Sequence, residues 1–248
     1  LQPSFNLLKN AFEQKALKLQ QSPTGINPEF ALVFEIIGTV DNFYTAVKNT
    51  DGLEWIFDSE VEPFNPDDDF YQVDKDSGER VDDSLNGKLY CVMSNQQAMA
   101  QLLSLWQRRQ NGESDVFKRG FAGLRDIFTH INDIRKWDAR DRIAETHALD
   151  YWRESLEFDG DSPVPFEIEL FFRSDETKRR NAVEAIRHEI QSLGGRIIQE
   201  CVIGEIFYHG MLVELPRVSI EGLVNRYEEI ELSQVDDIMF LSLIHISE

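Results

Sequence analysis

The chain has 248 residues, with 25 Lys and Arg against 45 Asp and Glu, a formal charge of −20 and a pI near 4.6. A surface this negative repels phosphate and anionic headgroups, because Lys and Arg carry most of the affinity for both, so nucleic acid and membrane surfaces are excluded as partners. With 42% hydrophobic and 11% aromatic residues the chain fills a core of one large or two small domains, while two cysteines, Cys91 and Cys201, are too few for a disulfide framework or a four-ligand zinc site.

A reducing, cytoplasmic compartment fits that cysteine usage. No stretch approaches the ~18 consecutive apolar residues of a membrane span. The first twenty residues lack both the apolar core and the small-residue cleavage site of a secretory signal. They also lack a starting Met, so Leu1 is expected not to be the natural start.

Phe5, Leu8, Phe12, Ala16 and Leu19 recur at spacings of three and four, which predicts a lead-in helix within residues 1–30, closed by the breakers Ser22, Pro23, Thr24 and Gly25. ALVFEIIG (31–38) reads as a strand and VDNFYTAVKNTDG (40–52) as a short helix. LEWIFDSEV (53–61) puts Leu53, Trp55 and Phe57 on one face and Glu54 and Asp58 on the other, the alternation of a half-buried strand. Residues 58–83 hold eleven acidic residues against Lys75 and Arg80, with Pro63, Pro66 and Gly78, and read as a solvated loop. KLYCVMS (88–94) resumes the sheet, and Ser94 with Gln97 makes a capping-box signature before a helix with Ala98, Met99, Leu102, Leu103 and Trp106 on one side.

Residues 117–156 read as helical throughout, on the spacing of Phe121, Leu124, Ile127, Phe128, Ile131 and Ile134 and a charged helix around Arg140 to Leu156. FDGDSPVP (158–165) is the clearest linker. FEIELFF (166–172) alternates as a strand, and Ser174, Asp175 and Glu176 cap a helix that carries Ala182, Val183, Ile186, Ile190 and Leu193 and ends at Gly194 and Gly195. Strands 195–203 and 206–216, a helix from Val218 to Tyr227 and a strand over 229–240 complete β-α-β-β-α-β, the order of a ferredoxin-like (split βαβ) sandwich. The expected fold class is therefore α+β, with two ferredoxin-like units over 31–112 and 161–240 joined by a helical connector over 113–160. The first unit lacks an obvious fourth strand.

LSLIHISE (241–248) matches the translation of a transposase sequencing adapter, a read-through artefact of assembled metagenomic fragments. It is read as a non-native tail without functional weight. Four histidines then remain, His130, His147, His188 and His209, and no G-x-S-x-G, H-E-x-x-H, P-loop or dinucleotide fingerprint occurs. Asp74, Asp76 and Glu79 offer oxygen ligands before and after a turn glycine, but the calcium-loop pattern is incomplete, with Gly78 at position five and no Glu at twelve. They are the only metal candidates, beside the plainer reading of a solvated acidic loop. No catalytic or cofactor-binding residue emerges. KLYCVMS and IFYHGMLVELP also miss the RNA-recognition signature, in agreement with the charge.

Four segments, 52–71, 87–110, 117–146 and 165–173, together with VIGEIFYHGMLVELP (202–216) and VDDIMF (235–240), resemble the long N-terminal region of bacterial subtilisin-like serine peptidases, of the kind encoded beside an AAA-type ATPase. The most specific pieces are MSNQQA…LLSLW and the RGF…LRDIF…DIR.W…DRI.ET stretch. The resemblance covers essentially residues 1–240. It implies a propeptide-like region that guides folding of a peptidase domain of the same parent chain or occludes its cleft, with the catalytic Asp, His and Ser lying downstream. No catalytic residue maps onto this chain, which on its own is expected not to hydrolyse peptides. A protein-interaction module for a partner such as the ATPase is the alternative. Phe171, Phe207, His209 and Met211 are the candidate docking face, against the alternative that they form one more layer of core.

Overall fold

The computed structural model describes residues 1–20, 28–113, 117, 121–144, 146–157 and 161–243. The expected breakers Ser22, Pro23, Thr24 and Gly25, residues 158–160 of the linker and residues 244–248 of the tail lie outside them. The fold is mixed α+β with antiparallel sheets, divided into two compact units, Leu1–Trp137 and Asp138–Glu248.

In the first unit, α1 (Gln2–Gln20) lays Phe5, Leu8 and Phe12 into the core, and the Phe5 ring stacks on Trp106 at 5.7 Å. β1 (Glu29–Ile37) runs through the middle of a four-stranded sheet and is buried on both faces, hence its nearly continuous apolar sequence. After α2 (Phe43–Lys48), β2 (Leu53–Phe64) pairs with β5 (Leu85–Asn95) as a long hairpin. Between them, β3 (Gln72–Val73) and β4 (Arg80–Val81) form a two-residue ladder. The acidic segment is thus partly sheet, with Asp58, Glu60 and Glu62 on β2. The helix that follows, α3 (Gln96–Gln110), is capped by Asn95, whose Oδ1 accepts the Ala98 N–H at 2.8 Å, while the Ser94 hydroxyl bonds to the Asn95 carbonyl. The N-cap is therefore Asn95 and not the predicted Ser94.

Helix α4 (Ala122–His130) ends where β6 (Ile131–Lys136) begins, and β6 pairs with β1 to complete the order β2-β5-β1-β6. A strand thus replaces the helix expected over these residues. Ile131 opposes Ile36, Ile134 opposes Phe34, and Asn132 is the extra residue of a bulge, so two inward side chains fall three apart instead of two. Burial of Ile134 contributes about 1.5–3 kcal/mol, an amount that fixes this register.

The second unit opens with α5 (Ala139–Ala144) and α6 (Ala148–Glu157), separated at His147, whose φ of 54° is left-handed. Trp152 of α6 packs edge-on to Phe166 at 5.2 Å. β7 (Val164–Leu170) turns Val164, Phe166, Ile168 and Leu170 toward the buried residues of α7 (Glu176–Ser192) and α8 (Arg217–Arg226). Asp175 caps α7 by accepting the Lys178 N–H at 3.0 Å. β8 (Arg196–Ile203), β9 (Tyr208–Leu215) and β10 (Ile238–Ser242) complete the order β10-β7-β9-β8. Residues 231–234, expected as strand, form the short helix α9 (Glu231–Gln234). Leu241 and Ser242 of the expected tail pair with Ile168 and Glu167 at the end of β10. In both units the strands stand in the order fourth, first, third, second of their chain sequence.

Candidate docking surface

Alternation along β9 decides what each of its side chains does. Met211, Val213 and Leu215 point to the helices and join the core, and His209, two residues earlier, is on the same side and 1% exposed. Its Nε2 lies 3.1 Å from Glu200 Oε1 on β8, while Nδ1 has no hydrogen-bond partner. Tyr208, Gly210, Leu212 and Glu214 occupy the other face. There the Tyr208 hydroxyl donates to Glu167 Oε1 at 2.7 Å, and the ring lies across Gly210, where a Cβ would collide with it. Burial first, and then Glu167, push the Tyr208 phenol well above its usual range. Glu169, next but one on β7, has its carboxyl raised by burial and by the neighbouring Glu167.

The four positions expected to form a docking face do not make one exposed surface. Phe171, His209 and Met211 are buried, and only Phe207 is exposed, at 70%. Phe207 closes the single turn Gly204–Ile206 between β8 and β9 with a left-handed φ of 55°. A bulky residue there is strained by about 1–2 kcal/mol. Its ring meets Phe172 edge-on at 5.6 Å, and the Arg179 guanidinium sits over Phe172.

Around Phe207 the structure adds residues that were not singled out from the sequence. Among the described residues eleven large apolar side chains are exposed, and five of them, Ile198, Val202, Ile203, Ile206 and Phe207, lie within residues 198–207. β8 is an outer strand of its sheet, so these side chains flank a row of main-chain donors and acceptors with no partner strand among the described residues. The signal available in the sequence was the apolar density of RIIQECVI and EIF on both faces, which suits neither a half-buried strand nor a solvated hairpin.

Asp74, Asp76 and Glu79 lie in the β3–β4 turn. Asp74 Oδ1 accepts the N–H groups of Asp76 and Ser77 at 3.0 and 2.7 Å, and these bonds hold its carboxyl below the usual range. Among the described residues no three His, Cys, Asp or Glu side chains are grouped to hold a metal ion. No helix among them is long and apolar enough to cross a membrane. The first unit also has a cleft of about 410 Å³, lined by Asp41, Asn42, Tyr44, Trp55, Tyr90 and the ion pair of Lys88 with Asp58 at 2.5 Å.

No family model matches the chain, and no curated protein does. The crystal structure of an unknown protein from Galdieria sulphuraria aligns with 88% of this chain and 99% of its own, at 11% identity and a TM-score of 0.24. A likeness at that level carries no argument about fold or activity.

Proposed function

We propose that this chain is the propeptide-like N-terminal region of a subtilisin-like serine peptidase, a cytoplasmic docking region that aids folding of the peptidase domain of its parent chain or inhibits it. The observation that carries the reading is the second unit: a β-α-β-β-α-β chain order with strands in the order β10-β7-β9-β8, presenting an uncovered apolar hairpin at one edge. That order is the ferredoxin-like plan, and the sequence resemblance assigns such a sandwich to the position just before a subtilase domain. The first unit has the same strand order, which supports a duplicated plan. A docked sandwich is rigid and loses little entropy on binding, so modest apolar area suffices to hold an enzyme in one state.

The same duplication favours a second reading beside the first. A cleft of its own gives the first unit a surface for a second partner, such as an AAA-type ATPase.

Reading the gene past the codon for Phe240 tests the parentage: it should encode Asp, then His in an H-G-T-H-like context, then Ser in G-T-S-x-A. With that peptidase domain in hand, the whole chain added in trans should slow casein hydrolysis or raise the yield of refolded enzyme. An equimolar mixture that does neither rejects the propeptide role. Failure to capture the ATPase from a purified mixture rejects the second reading. Alone, the chain should leave fluorogenic peptides intact.

A further inference from the structure

We propose that β8 is a strand-addition site that takes an extended, basic segment of a partner protein. The segment pairs main chain to main chain along Arg196–Ile203 and seats its apolar side chains against Ile198, Val202, Ile206 and Phe207. This deepens the docking reading and rests on it only for there being a partner, not for that partner being a peptidase.

The sheet has two outer strands, and they differ. β10 has five residues with Ile238 and Leu241 buried, whereas β8 has eight, of which six are exposed. Folded proteins blunt such an edge with Lys, Pro or a bulge against pairing with other chains. β8 has neither Lys nor Pro, its two charged residues, Arg196 and Glu200, are engaged by Glu214 and His209 of β9, and its one bulge falls between Ile197 and Gln199, leaving Gln199 to Ile203 in regular register with β9. Its outward main-chain groups are thus set for a further strand, the mode by which sheet edges capture extended peptides. The flanking apolar side chains supply area that solvent alone does not reward, and Phe207 is held exposed at the cost of a left-handed backbone.

Charge decides the occupant. The second unit contains eleven Lys and Arg against twenty-four Asp and Glu, a net −13, and the β8–β9 hairpin itself carries Glu200, Glu205 and Glu214 against Arg196, which is paired with Glu214 at 2.5 Å. A second copy of this chain would bring two such units together against that repulsion, whereas a segment with Lys or Arg between apolar residues is drawn in.

The test uses the whole chain and two synthetic peptides of about twelve residues, one alternating Lys with Val and one alternating Glu with Val. The Lys peptide should bind, slow amide exchange over residues 196–203, and lose affinity about tenfold in Val202→Lys or Ile198→Lys, since each variant puts a like charge on the edge. The paired variant Asp68→Asn, Asp69→Asn, remote in sequence on the acidic hairpin, should bind as the parent does. Equal binding of both peptides, or protection confined to residues 58–83, overturns the proposal. So does β8 protected without peptide in a dimer seen by light scattering, which makes a second copy the occupant. Near-ultraviolet circular dichroism confirms that each variant is folded. If Val202→Lys still inhibits the peptidase in trans as well as the parent chain, docking stands and the edge-strand assignment falls.

Discussion

Arg142 is 1% exposed, donates Nε–H to the Ile238 carbonyl at 2.9 Å, and leaves Nη1 and Nη2 without a hydrogen bond. Burial lowers its guanidinium pKa, and the opposing pull of Asp236, Asp138, Asp141 and Asp237 does not offset that. Its contribution is therefore volume and one main-chain bond between α5 and β10 more than an ion pair. Arg142→Ala should cost about 3 kcal/mol through a cavity and an orphaned carbonyl, and Arg142→Met less than half of that, as read from urea midpoints at unchanged slope. Phe207 is the opposite case, an exposed residue whose backbone strain does nothing for the fold. Phe207→Asn suits a left-handed φ but gives up the edge-on contact with Phe172, so the two changes should offset to within about 0.5 kcal/mol, and binding of whatever docks on the hairpin should weaken. Parity in the sequence did place His209 and Met211 on one face of β9, but parity does not say which face meets the helices. Phe171 lies past the end of β7 at Leu170, and Phe207 lies in the turn, so neither follows that alternation.

Most strands and the longer helices were legible because their period is regular, and the failures sit where it is not. β6 passed for helix because the bulge at Asn132 spaces Ile131 and Ile134 by three, continuing the helical stripe of Leu124, Ile127 and Phe128. α9 passed for strand because Ile230 and Leu232 alternate, although Leu232 is buried from a single helical turn. The open face of the second sheet could not be read at all, since it depends on which strands become neighbours. There Glu169 sits beside Glu167 with its carboxyl raised above the ordinary value of 4.5. A carboxyl whose folded pKa exceeds its unfolded one binds its proton more tightly in the fold, so stability falls as pH rises through that window. Glu169→Gln should therefore be more stable than the parent near neutral pH and show a flatter stability profile as pH rises above the ordinary carboxyl value. Gly210→Ala should push the Tyr208 ring off its seat and break the bond to Glu167, which tyrosine fluorescence or crystallography would register.

At the scale of the whole molecule, the acidity is not the property of one loop. Residues 58–83 hold eleven acids, yet the first unit nets only −7 and the second −13. The bias against nucleic acid therefore belongs to both units, and it opposes their compact states through repulsion among carboxylates. The boundary between the two units carries no breaker in the sequence. The residues that separate them, Trp137 and Asp138, carry no Gly or Pro, and the Pro-rich stretch before β7 lies inside the second unit. Repulsion of this kind is screened within about 10 Å at 0.1 M salt, so the melting temperature should rise by a few degrees between about 10 mM and about 200 mM NaCl. Calcium chloride at matched ionic strength should do no more, because the Asp74 carboxylate already accepts the N–H groups of its own turn. A larger rise with calcium, abolished by Asp74→Asn with Asp76→Asn, would show that the turn opens to bind the ion and would return these carboxylates to the role their spacing suggests.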